Sequence, residues 1–140
     1  MTKQNIDNLQ EVFSEFMIKS IPKWLNVENR PLSRSQFVVL KVLKEHGPQK
    51  ISDLSRELNV TLSAITNLSE KLIDESYIER KRCEDDRRVV RLFITKKGLK
   101  LYQTVADEQH EKIGQLQQFL SEDEIDFLVK IYRKMLDNLF

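Results

Sequence analysis

Residues 80–91 read RKRCEDDRRVVR, six basic and three acidic side chains set around the one cysteine of the chain. Guanidinium forks in such a run can grip carboxylate or phosphate oxygens in pairs, so the chemistry on offer is ionic recognition, not bond-making. Acids placed against the arginines weaken attraction to a polyanion unless a carboxylate holds an arginine in position. Asp86 stands two residues before Arg88 and can do this through a bidentate contact, which lowers the entropy lost when the guanidinium docks. A second set lies upstream, where Ser63, Thr66, Asn67 and Lys71 fall on one helical face at about 100° per residue. These are groups that can read base edges. A side-chain amide such as Asn67 matches N6 and N7 of adenine, and the methyl of Thr66 or Ala64 can meet a thymine methyl. Glu70, Asp74 and Glu75 make the far end of that face acidic, so only its N-terminal half can lie close to phosphates.

Catalysis and metal binding have little to work with. The two histidines, His46 and His110, have no paired cysteine and no HExxH spacing, and no glycine-rich phosphate loop occurs. Asp85 and Asp86 are neighbours on a turn, not carboxylates converging across a cleft. No catalytic residue, metal or cofactor is expected. A lone cysteine cannot close an intrachain disulfide, which fits a reducing compartment. The first twenty residues hold no apolar secretory core, and the longest apolar run, FVVL, is far below the roughly 18 residues of a membrane span. A cytoplasmic protein is expected. Net charge over the 140 residues is only +1, but it is unevenly placed: residues 80–100 carry nine basic side chains against three acidic, and residues 101–140 carry four against eight. The basic stretch is the electrostatic footprint.

The elements that must position these groups follow from periodicity and punctuation. With 3 Gly and 3 Pro, the chain should be mainly α. A first helix is expected over Ile6–Ile21, where Ile6, Leu9, Phe13, Phe16 and Met17 recur before Pro22. Ser33 with Gln36 forms a capping box and Leu32 with Phe37 a hydrophobic staple, opening a second helix that stops at Gly47-Pro48. Two short helices follow, 52–58 and 62–75, capped by Ser52 and Thr61 and joined through Asn59, a residue suited to the left-handed turn. Leu62, Ile65, Leu68, Leu72 and Ile73 should be the buried face of the second. From Tyr77 to Arg82 and Val89 to Ile94 the pattern becomes extended, giving a β-hairpin with CEDDRR at its tip. Thr95 can cap a long helix over 96–120, which Gly98 and Gly114 only weaken. Ser121 with Glu124, and Leu120 with Ile125, then open a last helix that runs to the end of the chain.

This order of elements, together with LNVTLSAITNLSEKLIDESYIERK and DRRVVRLFITKKG, resembles the MarR family of winged helix-turn-helix transcriptional regulators over nearly the whole chain. The wing pattern is carried by Asp86, Arg88, Leu92, Ile94, Thr95 and Gly98. The chain departs from the family where Asn67 replaces a frequent basic residue and where Ser76 replaces a frequent glycine. The resemblance implies a mainly α fold with a small β-hairpin wing, one domain over 1–140. In it, about 33–98 form the winged helix-turn-helix, and 1–21 with 99–140 form dimerisation helices. It further implies a homodimer that places two recognition helices in successive major grooves of a near-palindromic duplex, with half-sites about 10 bp apart. Ser52, Thr61, Ser63, Ala64, Thr66, Asn67, Lys71, Arg87 and Arg88 are then the DNA-binding set, Asp86 orients the wing, and Phe13, Phe16, Leu136, Leu139 and Phe140 serve dimerisation.

Members of the family commonly release DNA on binding a small aromatic or anionic molecule, so a repressor of this type is expected. Trp24, Arg30, Phe37 and His46 are candidate pocket residues, with core packing of the aromatics as the alternative. Cys83 is the one candidate for an oxidation signal, but it lies in the wing and not in the N-terminal helix where the family's sensing cysteine usually sits. The rival reading is a helical adaptor that binds other proteins through its apolar ends and uses the hairpin only as surface. Salt separates the two, because groove binding weakens steeply with ionic strength and apolar docking does not.

Overall fold

A computed structural model of the protein describes residues 2–25 and 32–140, with the backbone alone for 21–25. The chain forms two compact units, residues 1–106 and 107–140. The first holds α1 (Lys3–Leu25), α2 (Arg34–His46), α3 (Ile51–Glu57), α4 (Leu62–Asp74), the strands β1 (Ile78–Arg82) and β2 (Val90–Ile94), and the start of α5 (Lys96–Gly114). The second holds the end of α5, a short 3-10 turn at Gln115–Gln118 and α6 (Glu122–Leu139).

Side-chain caps fix most helix starts. Ser33 Oγ accepts from the Gln36 amide at 3.2 Å while Gln36 Oε1 accepts from the Ser33 amide at 2.8 Å, the expected capping box of α2. The same reciprocal pair opens α6, at 3.2 Å and 2.8 Å between Ser121 and Glu124. Three boundaries differ from expectation. Helix α1 continues through Pro22 to Leu25; a proline so near the end removes one bond of the last turn without stopping it. Helix α3 begins at Ile51 behind Lys50, which offers no side-chain cap, so Ser52 lies inside the helix. The long fifth helix gives way at Gly114 to the 3-10 turn, because glycine is the weakest helix former after proline and tighter bonding finishes the run.

The core is built where α2, α3, α4, β2 and the start of α5 converge. Leu40, Leu43, Leu54, Ile65, Leu72 and Leu92 are almost fully buried in it, each worth roughly 1.5–3 kcal/mol of transfer from water. Tyr102 and Val105 of α5 join them, and Phe37 stacks on Tyr102 with ring centroids 5.3 Å apart. β1 and β2 pair antiparallel from Ile78↔Ile94 to Arg82↔Val90. The segment after α2 adds a bridge the sequence does not announce: Gln49 N donates to Leu92 O at 3.1 Å and Leu92 N to Gln49 O at 2.8 Å.

In contrast, Leu9, Val12, Phe13 and Ile18 of α1 are exposed, and α6 buries no residue although Phe127, Tyr132, Leu136, Leu139 and Phe140 lie along it or at its end.

Gly98 is not the mere weakness expected of it. A Cβ there would stand 2.1 Å from the Tyr77 carbonyl oxygen and 2.9 Å from Ile94 Cγ1, whereas one at Gly114 would meet nothing within 4 Å. Gly98→Ala should therefore destabilise the protein by roughly 1–3 kcal/mol or more, while Gly114→Ala should be neutral or stabilise by up to about 1 kcal/mol. Urea unfolding of both variants checks the contrast.

Candidate nucleic-acid interface

Helices α3 and α4 are joined by a turn whose geometry the sequence dictates. Asn59 adopts φ 52°. Its amide donates to Arg56 O at 3.2 Å, and the Val60 amide donates to Ser55 O at 3.0 Å, the paired bonds of a Schellman motif. Thr61 then caps α4, accepting from the Ala64 amide at 3.1 Å. At the other end Ser76 takes φ 64° and repeats the motif, with amides of Ser76 and Tyr77 donating to Ile73 O and Leu72 O, both at 2.9 Å. The residue that replaces the family's usual glycine is thus held in the conformation that glycine favours.

Helix α4 turns Ile65, Ser69 and Leu72 inward and leaves Ser63, Asn67, Glu70 and Lys71 exposed, with Ala64 and Thr66 half-buried. Ser52, expected to cap α3, is exposed within it. Leu62 departs from expectation. It is 57 % exposed, although Ile65 in the same turn is fully buried. Thr66 Oγ1 donates back to Leu62 O at 2.8 Å, so its hydroxyl is engaged within the helix.

The wing shows why acids sit against its arginines. Asp86 Oδ1 accepts from the backbone amide of Arg88 at 3.0 Å and from its Nε at 3.2 Å, while Oδ2 accepts from Nη2 at 3.4 Å. The Arg88 side chain is nonetheless 91 % exposed, so it is held without being hidden. Other arginines hold the wing together. Arg82 Nη1 donates to Arg87 O at 2.9 Å, Arg91 Nε donates to Cys83 Sγ at 3.1 Å, and Arg80 Nη2 reaches Glu70 Oε1 of α4 at 2.6 Å. The last pair neutralises an acid on the exposed face of α4 and ties that helix to β1. It joins residues ten apart in sequence, and no local pattern announces it. Cys83 is half-buried in this network.

Two of the candidate pocket residues can be placed. Phe37 packs on Tyr102, which also takes Lys44 Nζ at 5.2 Å from its ring, and His46 is exposed at the end of α2. The Trp24 side chain and all of Arg30 lie outside the described residues. Among the described residues no group of three or more His, Cys, Asp or Glu could hold a metal ion, and no helix is long and apolar enough to cross a membrane.

A capped helix, a tight left-handed turn, a second helix with its polar face open and a basic β-hairpin directly after it define a winged helix-turn-helix, a class that binds duplex DNA. The MarR family model matches residues 32–90. The chain is 29% identical over 120 residues to an uncharacterized helix-turn-helix transcriptional regulator, YpoP, of Bacillus subtilis, covering 85% of each. It is 27% identical over 118 residues to the transcriptional repressor MdtR of the same organism, covering 84% of this chain and 74% of MdtR. It is also similar to Streptococcus pneumoniae FabT, solved in complex with DNA, at 27% identity and a TM-score of 0.77, covering 99% of this chain and 97% of that one. The chain belongs to the MarR family of winged helix-turn-helix transcriptional regulators. It is a DNA-binding regulator and not a helical adaptor.

The hydrogen bonds from the Arg88 side chain and backbone, aided by the charge of Lys50, hold the Asp86 carboxyl below its ordinary pKa. A lowered folded value means that the clamp is complete at neutral pH and is lost only as pH falls through that value. The Nε–H resonance of Arg88 should therefore stay shifted below the pH at which an ordinary aspartate protonates, and should move to its free position at neutral pH in Asp86→Ala, which removes the acceptor.

Proposed function

We propose that the protein is a homodimeric repressor that lays two copies of α4 in successive major grooves of a near-palindromic site, with the Arg88 tips in the flanking minor grooves. The observation that carries this reading is the Arg88 guanidinium, exposed yet clamped by Asp86, on a hairpin joined to α4 through Arg80 and Glu70. Narrow A·T-rich minor grooves have the most negative potential and accept such an arginine. In this reading Ser63, Ala64, Thr66 and Asn67 face base edges, Ser52, Thr61, Lys71 and Arg87 approach phosphates, and residues of about 33–98 form the DNA-binding region. The exposed apolar stripe of α1 and the unburied face of α6, including Phe13, Phe16, Leu136, Leu139 and Phe140, support pairing of two copies through the N- and C-terminal helices. Repression is drawn from the likeness to MdtR. A small aromatic or anionic effector ends binding, and the protein works in the cytoplasm, where its operator is.

The test is titration of duplex DNA from directly upstream of the protein's own coding region, at several salt concentrations, with sedimentation to give the stoichiometry. A steep salt slope and two chains per site are expected. Arg88→Ala should weaken binding to most sequences and flatten the slope by about one, whereas Asn67→Ala should relax preference at one base pair by roughly 1–3 kcal/mol. If both variants bind like the parent, the assignments of helix and wing fail.

A further inference from the structure

The leading turn of α4 presents hydrocarbon where a reader of guanine would present a cation. Leu62 is 57 % exposed and the adjoining Val60 37 % exposed. From Leu62 to Glu70 the helix carries no lysine or arginine, the side chains that make the bidentate bond to guanine O6 and N7. One turn on from Leu62, the Thr66 hydroxyl is bonded to the Leu62 carbonyl at 2.8 Å, which leaves the γ-methyl as the group it can offer outward. The Thr61 hydroxyl is likewise engaged, accepting from the Ala64 amide. Positions 62 and 66 are stacked on one side of the helix, so these hydrocarbon groups form a short strip beside the face that carries Asn67.

We propose that Leu62, with the Thr66 methyl extending the same strip, reads thymine 5-methyl groups in the major groove, so that the base pairs beneath the leading turn of α4 are A·T. This rests on the DNA-binding reading above and adds the base class it selects. The thymine methyl is the one apolar group that a base edge offers in the major groove, and contact with it requires a side chain that is exposed, apolar and free of competing bonds. Leu62 meets each condition. An exposed leucine also loses its contact with water on docking, a gain that a polar side chain at the same place could not make.

Deoxyuridine is the probe, because it pairs as thymine does and lacks only the methyl. Duplexes recovered from a random pool by the full-length protein are resynthesised with each thymine replaced in turn, and are titrated against the parent, Leu62→Ala and Leu62→Met. The recovered sites should hold thymine at a fixed position in each half. Replacement there should weaken the parent by about fourfold, the worth of one buried methyl. Leu62→Ala should bind the thymine duplex more weakly and be indifferent to the replacement, and Leu62→Met should keep the parent's sensitivity. Thermal unfolding confirms that both variants are folded. Equal affinity of the parent for thymine and deoxyuridine at every position, or full sensitivity surviving in Leu62→Ala, overturns the assignment while DNA binding itself stands. A parent that recovers no duplex overturns the DNA-binding reading and this inference with it.

Discussion

The junction of Ser76, Tyr77, Thr95 and Gly98 is the constraint on which the rest of the reading head depends. Here α4 ends, β1 begins, β2 ends and α5 begins. Thr95 Oγ1 lies 2.7 Å from Ser76 O and 3.0 Å from Tyr77 O and also accepts from the Gly98 amide at 3.0 Å, while the Thr95 amide donates to Tyr77 O at 3.1 Å. Lys97 closes the same corner, its Nζ donating to Glu75 O at 2.7 Å and lying 4.8 Å from the Tyr77 ring. Helix α5 can come this close only because position 98 has no Cβ. The Thr95 and Lys97 side chains and the backbone of Tyr77 thus tie the end of the recognition helix to the base of the wing at one corner, and the Arg80–Glu70 pair adds a second tie.

What could be read from sequence was what acts over a few residues. The capping boxes at Ser33 and Ser121, the left-handed Asn59, the Thr61 cap and the Asp86–Arg88 clamp all lie within four positions of their partners, and the structure contains each of them. The misreadings come from contacts that span the chain or from geometry at an element's edge. Serine is a good cap by type, yet helix α3 begins before Ser52, because the start of a short helix is set by the docking of Leu54 and Ser55 into the core. Periodicity placed Leu62 on the buried face but cannot say how far the covering body extends. Gly98 reads as a helix weakener until Tyr77 is brought against it, and the pairing of Gln49 with Leu92 spans more than forty residues.

Charge follows a similar division between holding and touching. A chain of net charge +1 can still present a polyanion with a local excess, and the wing does so with arginines of two kinds. Arg80, Arg82 and Arg91 are bonded to Glu70, to the Arg87 carbonyl and to the Cys83 sulfur, so they shape the hairpin. Arg88 is restrained by an acid yet projects into solvent. Exposed ion pairs contribute little to stability, about 0–1 kcal/mol each; their value here is orientation.

The bridge between Gln49 and Leu92 makes the connector leaving α2 a third rail alongside the two-stranded ribbon. At Leu92 the second strand therefore has no free edge, since Arg80 flanks it on one side and Gln49 on the other.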